Sequence, residues 1–265
     1  MHRNSTLPVP GAELYYESEG SGPAVVLVHG FGLDARMWDD QVAALRDIAT
    51  VVRYDVRGFG RSSGPAPDLA YSHSGDLLAL LEHLGITGAL LVGLSMGGLI
   101  ALHTALVAPE RVRGLVLLDS LLDGIGWDDD SERAMSAVQR AAASDVEAGR
   151  ELWLAHPLFA AARRNPAVAT RLRAMVSAYS GVHWTQHDPH RPWSPQPIEA
   201  LERIAVPTTV VVGELDVPCF RTMASVLADR IPGAQLLTVP GSGHMVNMEA
   251  PSAVNAVLRP AVDEH

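Results

Sequence analysis

The sequence feature that most constrains this chain is a Gly-X-Ser-X-Gly segment centred on Ser95. An apolar run precedes the segment and an apolar pattern of helical period follows it, so the sequence predicts a sharp turn between a strand and a helix. Gly93 and Gly97 suit that turn, because it brings two backbone segments together and leaves no room for Cβ atoms. A serine hydroxyl becomes a useful nucleophile only beside a base and backbone N–H donors. The segment therefore predicts that Ser95 is a nucleophile.

Two polar residues that follow later strands are candidates for the partners of this serine. Asp216 follows a β-branched run at 208–212, and His244 follows the apolar run at 236–239. The carboxyl ends of parallel strands lie at one edge of a sheet, where α/β proteins collect their ligands. The order serine, acid, histidine is one in which catalytic triads occur. We therefore expect Asp216 to act as the acid and His244 as the base.

Five motifs together resemble the α/β-hydrolase fold, from about Gly11 to the last predicted helix. Within that superfamily the chain is similar to 3-oxoadipate enol-lactonases, small carboxylesterases and cofactor-free haloperoxidases. The resemblance implies a mostly parallel central sheet flanked by helices, with a helical cap insertion. It also implies hydrolysis of a carboxylic ester or lactone through an acyl-enzyme, with no metal or organic cofactor. The motifs are VHGFG at 28–32, DVRGFGRS at 55–62, GLSMGG at 93–98, GELD at 213–216 and GHMVNMEAP at 243–251.

The resemblance also assigns roles to residues around the serine. It implies that the backbone N–H groups of Met96 and Phe31 form the oxyanion hole, and that His29 fixes the loop that carries Phe31. Asp119 lies where some members of the superfamily carry an alternative acid. Glu214 is close to Asp216, but strand alternation directs its side chain to the opposite side.

The alternation of predicted strands and helices defines the domain organisation. Residues 1–121 and 198–265 are expected to form one discontinuous core, and residues 122–197, which contain no convincing strand, a helical cap over the site. Helical stretches are expected within the cap at 131–154 and 167–179. Strands are expected at 14–18, 25–28, 50–54, 90–92, 115–118, 208–212 and 236–239, and core helices at 38–46, 73–84, 96–106, 220–231 and 251–258.

Large apolar residues near the serine and in the cap are candidates for a substrate pocket. These are Phe31 and Met96 beside the serine, Met245 beside the candidate base, and Trp127, Trp153, Leu158, Phe159 and Trp184 of the expected cap. The alternative is that they pack in the core, as large apolar residues usually do.

Composition limits the class of partner and the compartment. The formal net charge of −10 argues against nucleic acid or an anionic membrane surface as a partner. A single cysteine, Cys219, and a start without the apolar stretch of a secretory signal favour a cytoplasmic setting. Residues 88–108 carry no charge and are long enough to span a membrane, but their glycines favour a buried strand followed by a buried helix. The oligomeric state and the identity of the ester or lactone stay open.

Two other groups of residues carry alternative interpretations. His183, His187 and His190 have the spacing of metal ligands on a helix, but prolines interrupt any such helix and no metal site is expected. Arg57 and Arg61 flank a glycine turn and either stabilise it or bind a substrate carboxylate.

Three alternative functions stay open for the same fold. A cofactor-free perhydrolase of the haloperoxidase kind would use the same triad, and a non-catalytic receptor would bind a small ligand in the same pocket. A carbon–carbon bond hydrolase is less favoured, because that family carries Trp after the histidine where this chain has Met245. Ser95 itself argues against haloalkane dehalogenases and epoxide hydrolases, which use Asp at that position.

Overall fold

An eight-stranded sheet forms the centre of the molecule in a computed structural model that describes residues 3–263. The strands are β1 (Arg3–Val9), β2 (Ala12–Gly20), β3 (Ala24–Val28), β4 (Thr50–Tyr54), β5 (Ala89–Leu94), β6 (Val112–Leu118), β7 (Thr208–Gly213) and β8 (Gln235–Val239). Their order across the sheet is β1-β2-β4-β3-β5-β6-β7-β8. β2 pairs antiparallel with β1 and β4, and the other neighbouring pairs are parallel.

The central strands are buried on both faces, which is why they read as continuous apolar runs rather than as alternating ones. Every residue of β5 is buried, and β3 is buried from Val25 onward. β3 and β5 lie side by side, with Val28 opposite Gly93. The direction of winding reverses between these two strands, since β4 lies on the other side of β3. Open α/β sheets bind ligands in the crevice at such a point, beyond the carboxyl ends of the strands.

Helices connect the parallel strands and continue to the end of the described chain. They are α1 (Asp39–Leu45), α2 (His73–His83), α3 (Met96–Val107), α4 (Asp129–Ala142), α5 (Val146–Leu154), α6 (Pro166–Ala178), α7 (Val182–Thr185), α8 (Pro218–Arg230), α9 (Val246–Glu249) and α10 (Pro251–Asp263). Within residues 3–263, no helix combines the length and the apolar character that crossing a membrane requires. The uncharged stretch 88–108 forms β5 and α3.

The predicted fold class is confirmed, whereas β1, the short helix α9 and the division of one helical stretch were not predicted. β1 was not expected, because its polar residues and Pro8 hide the strand pattern. The helical stretch expected at 131–154 is divided into α4 and α5, because Asp145 begins a new helix and accepts a hydrogen bond from the amide of Glu147 at 2.9 Å.

Between β6 and β7, every described element is helical. We refer to residues 122–197 as the inserted segment. Its Trp153 packs edge-on against Phe31 in the loop after β3, with ring centroids 5.7 Å apart. Arg171 forms an ion pair with Asp40 of α1, with 2.6 Å between nitrogen and oxygen. The inserted segment therefore lies against the edge of the sheet where β3 and β5 end.

Candidate active site

Ser95 lies in a strained turn between β5 and α3. Its backbone has φ +56° and ψ −118°, a conformation that residues with a Cβ rarely adopt. A Cβ on Gly93 would lie 2.2 Å from the carbonyl oxygen of Gly97, and a Cβ on Gly97 would lie 2.1 Å from that of Val28. Only glycine fits at either position, which is the physical reason for the Gly-X-Ser-X-Gly spacing. The Ser95 amide donates to the carbonyl of Leu118 at 3.0 Å and ties the turn to β6.

His244 and Asp216 meet in the loops that follow β8 and β7. His244 Nδ1 donates to Asp216 Oδ2 at 2.9 Å, and Asp216 Oδ1 accepts the Val217 amide at 2.7 Å. Both side chains are buried, with relative exposures of 3% for His244 and 4% for Asp216. A carboxylate that accepts the Nδ1–H fixes the tautomer of the imidazole ring, so that Nε2 is the nitrogen without a proton and can accept one.

The three acids near this edge have different partners. Asp216 accepts from His244, whereas Asp119 accepts the amide of Gly213 at 2.8 Å. Glu214 is exposed and accepts the amide of Gly241 at 2.9 Å. Of the three, Asp216 is therefore the acid that is hydrogen-bonded to His244.

The loop after β3 is fixed by His29. Its Nδ1 donates to the carbonyl of Gly30 at 2.8 Å, and its Nε2 accepts the amide of Val56 at 2.8 Å. Burial lowers the pKa of His29, which favours the neutral ring that these two bonds require. Since backbone groups use both ring nitrogens, the contacts of His29 are those of a structural residue.

Two backbone amides next to Ser95 are suited to binding an anion. Met96 is the first residue of α3, and the first amides of a helix have no acceptor within it. Phe31 follows Gly30 in the loop after β3. Within residues 3–263, neither amide takes part in a backbone hydrogen bond of a turn, loop or cap. Both residues line the same cavity as Ser95.

That cavity has a volume of about 140 Å³ and an almost entirely apolar wall. Ser95 and His244 line it with polar side chains, and no arginine in the described part of the chain lines it. Trp127 and Trp153 reach it from the inserted segment. The complete lining is Gly30, Phe31, Leu33, Leu94, Ser95, Met96, Leu121, Trp127, Met135, Trp153, Leu158, Phe159 and His244.

Two expected pocket residues, Trp184 and Met245, do not line the cavity. Trp184 packs behind Trp153, with ring centroids 6.4 Å apart, and edge-on against Tyr179 at 4.8 Å. Met245 is fully buried, and its amide donates to Glu249 Oε1 at 3.1 Å. Trp184 therefore supports a residue of the cavity wall, and Met245 is part of the buried core.

The arginines that flank the glycine turn hold that turn. Arg57 is buried and forms a two-pronged ion pair with Asp76, with nitrogen–oxygen distances of 2.8 and 2.6 Å. Arg61 pairs with Glu17 at 2.9 Å, and its amide donates to Asp55 at 2.8 Å. Neither side chain lines the cavity, so the turn-stabilising interpretation fits the structure.

The three histidines of the inserted segment do not converge as metal ligands. His183 stacks on Phe59 with centroids 4.4 Å apart, His190 stacks on His73 at 4.6 Å, and His187 is exposed. Among the described residues, the group of acidic, histidine and cysteine side chains close enough to share an ion is Asp119, Asp216 and His244.

Sequence reasoning did not assign roles to Glu249 and Phe220. Glu249 accepts the amides of Gly243 at 2.8 Å and Met245 at 3.1 Å, and so clamps the loop on both sides of His244. Phe220 packs edge-on against the His244 ring at 4.4 Å. The GHMVNMEAP motif contained the signal for Glu249, whereas nothing in the sequence distinguishes Phe220 from a core residue.

Comparison with known proteins identifies the family. The model of the alpha/beta hydrolase fold matches residues 23–251. A Synechocystis protein provisionally named a non-heme chloroperoxidase is 29% identical over 93% of this chain and 93% of its own. The 3-oxoadipate enol-lactonase 2 of Acinetobacter baylyi is 27% identical over 96% of this chain and 95% of its own. A thermophilic esterase from Thermogutta terrifontis is 29% identical, with a TM-score of 0.79 over 100% of this chain and 98% of that one. This chain belongs to the alpha/beta hydrolase family.

Proposed function

We propose that this protein is a serine hydrolase that cleaves a carboxylic ester or lactone through an acyl-enzyme formed on Ser95. One observation carries the proposal: a buried His244, held by Asp216 at 2.9 Å, lines the same cavity as a serine at a strained strand–helix turn. A solved esterase and a named enol-lactonase among its relatives support the same reaction class. On this proposal, the inserted segment is a cap that covers the acyl group.

The mechanism follows from the chemistry of these residues. His244 Nε2 takes the proton of Ser95 Oγ as the oxygen attacks the carbonyl carbon, and Asp216 stabilises the imidazolium that forms. The amides of Phe31 and Met96 bind the negative charge that develops on the carbonyl oxygen. The imidazolium then protonates the leaving alkoxide, which departs from an ester or stays attached in a ring-opened lactone. Water, deprotonated by His244, attacks the acyl-enzyme and releases the carboxylic acid.

The size of the cavity limits the acyl group. A dry cavity of about 150 Å³ lined by aliphatic and aromatic side chains is large enough for benzene in another protein. The cavity beside Ser95, at about 140 Å³, is of the same size. The acyl group is therefore expected to be small, comparable to a butanoyl or phenyl group.

The charge of the cavity favours an uncharged acyl group. No arginine of residues 3–263 lines the cavity: Arg57 pairs with Asp76, and Arg163 donates to the carbonyls of Leu154 and His156 at 2.9 Å. Burial of a carboxylate without a partner costs several kcal/mol. A carboxylate-bearing lactone, as the enol-lactonase resemblance implies, is therefore a poor match for this cavity.

A matched set of substrates tests this proposal. The set consists of 4-nitrophenyl butanoate, 4-nitrophenyl hemisuccinate and the methyl ester of that hemisuccinate. We expect kcat/KM for the two uncharged esters to exceed that for the free hemisuccinate by about 100-fold or more, because only the free hemisuccinate carries a charge into the cavity. The Ser95→Ala variant should lose about 10⁴-fold or more in kcat on every ester. Equal rates for the charged and methylated pair would contradict the substrate class, and an active Ser95→Ala variant would contradict the mechanism.

The relative provisionally named a chloroperoxidase supports a second candidate, a perhydrolase that uses the same acyl-enzyme. Hydrogen peroxide would replace water in the second step, so that the acyl group leaves as a peracid. Incubation with acetate, hydrogen peroxide and bromide would reveal this activity as bromination of an indicator dye. No bromination above the level of the Ser95→Ala variant would exclude it.

A further inference from the structure

Asp119 is a second carboxyl group buried beside the proposed triad. It follows β6 with φ +40°, a strained conformation for a residue other than glycine, and its side chain is fully buried. One of its carboxyl oxygens, one of Asp216 and a ring nitrogen of His244 all lie within 4.8 Å of one another. The cluster thus brings two acids and one base together among buried residues.

The hydrogen bonds of the Asp119 carboxyl are incomplete. Oδ1 accepts the Gly213 amide at 2.8 Å, whereas Oδ2 is buried and has no donor among residues 3–263. A buried carboxylate oxygen without a donor is costly, and a second carboxylate nearby adds repulsion. Both costs disappear when Oδ2 carries a proton, because a protonated carboxyl donates where a carboxylate can only accept.

We propose that Asp119 is a positioning residue that retains its carboxyl proton at neutral pH and donates it from Oδ2 to the Asp216 carboxylate. The inference rests on the proposed function in so far as Asp216 orients His244 for catalysis. The donated hydrogen bond holds the Asp216 carboxylate in one orientation. Asp119 keeps its proton through the catalytic cycle. The strained backbone conformation of Asp119 directs its carboxyl group towards Asp216.

The surrounding charges agree with a neutral Asp119. Burial and the nearby charge of Asp216 raise the pKa of Asp119 well above its usual range, and Glu249 acts in the same direction. The other titratable groups of the cluster are His244 and Cys219. When Asp119 is protonated, the one carboxylate of the cluster beside His244 is that of Asp216. Burial raises the pKa of the Cys219 thiol to about 11. His156 faces His244 from the inserted segment, and burial lowers its pKa to about 4, so it is neutral at pH 7.

Infrared spectroscopy tests the proton directly. The carbonyl stretch of a protonated carboxyl group should be present in the wild-type protein at pH 7 and absent in Asp119→Asn. It should persist in Asp123→Asn, which removes a partly exposed acid four residues later. The absence of the band, or a band that survives in Asp119→Asn and disappears in Glu249→Gln, would overturn the proposal. This result does not depend on activity, so it is separable from a failure of the proposed function, which would appear as an unreactive Ser95.

Kinetics test the positioning role. Asp119→Ala removes the donor to a charged carboxylate and should lower kcat by about 10-fold or more with little change in KM. Asp119→Asn replaces the O–H donor by N–H and should recover most of that loss, with the acidic limb of kcat/KM against pH at the wild-type position. A limb displaced to lower pH in Asp119→Asn would show that the mutation removed a negative charge beside His244, and would contradict a neutral Asp119. If Asp119→Ala does not fold, the infrared band and the Asp119→Asn profile decide the question.

Discussion

At the residue scale, the strained backbone turn around Ser95 determines which residue types can lie two positions before and after it. Gly93 and Gly97 are required by contacts of 2.2 and 2.1 Å that a Cβ would make with backbone oxygens, and these constraints are visible as sequence spacing. The sequence alone does not decide between the two candidate acids. Asp216 and Asp119 both follow strands, and only the three-dimensional register shows that both lie beside His244 and that Asp216 accepts its hydrogen bond.

The buried carboxyl proton of Asp119 should also be detectable as a difference in stability between the wild type and Asp119→Asn. Burial raises the folded-state pKa of Asp119, so between pH 4 and that value the folded chain holds a proton that the unfolded chain releases. The contribution of Asp119 to wild-type stability therefore falls as pH rises through this window, by about 1.4 kcal/mol for each pH unit. Asparagine has no such ionisation. Urea unfolding from pH 5 to 8 should show Asp119→Asn gaining stability relative to the wild type as pH rises, and a constant difference would contradict a neutral Asp119.

At the scale of secondary structure, the strands were predictable and the inserted segment was less so. Each expected strand is present and extends at most three residues beyond its predicted ends, because a buried parallel strand is a continuous apolar run. The inserted segment offers a weaker signal, since short helices around a cavity carry apolar residues on several faces. Nothing in the sequence distinguishes Trp184 from Trp127 and Trp153 as a candidate pocket residue. In the structure, Trp127 and Trp153 line the cavity and Trp184 does not.

The three tryptophans should therefore respond differently to truncation. Trp127→Ala and Trp153→Ala enlarge the cavity and should raise the ratio of kcat/KM for a bulky ester to that for a small ester by about 10-fold. Trp184→Ala removes packing behind Trp153 and should lower the melting temperature without a comparable change in that ratio. Each variant needs both measurements. A changed ratio in Trp184→Ala alone would place the acyl site outside the cavity described.

The inserted segment should also lose stability in acid through His156. His156 Nε2 donates to the carbonyl of Ser131 at 3.1 Å and Nδ1 accepts the amide of Leu158 at 3.2 Å, which requires the neutral ring. Its pKa is lowered by burial to about 4, so its contribution to stability is complete above pH 6.5 and is lost as pH falls from 6.5 to 4.

We expect His156→Gln to be less stable than the wild type at pH 7.5, but to lose about 2 kcal/mol less between pH 6.5 and 4. The exposed His187, replaced by Gln, is the matched control and should follow the wild-type curve. Parallel curves for His156→Gln and the wild type would mean that His156 does not titrate on unfolding in this range.

At the scale of the whole molecule, sheet topology brings residues from distant parts of the chain to one crevice. Loops that follow β3, β5, β7 and β8 supply Phe31, Ser95, Asp216 and His244 at the same edge of the sheet. The sequence predicted this convergence because parallel strands end at one edge. It could not predict the charge and size of the cavity, which depend on where Arg57 and Arg163 find partners and on how the inserted segment packs.

Formation of an acyl-enzyme on Ser95 is tested most directly by the mass of the protein during turnover of 4-nitrophenyl butanoate. The chain contains no lysine, so acylation of side-chain amines cannot obscure the result. We expect a burst of about one 4-nitrophenol per chain when deacylation is the slower step. One butanoyl group should be added to the intact protein and map to Ser95, and no such group should form in Ser95→Ala. Hydrolysis with the butanoyl group on another residue, or with an equal adduct in Ser95→Ala, would contradict it.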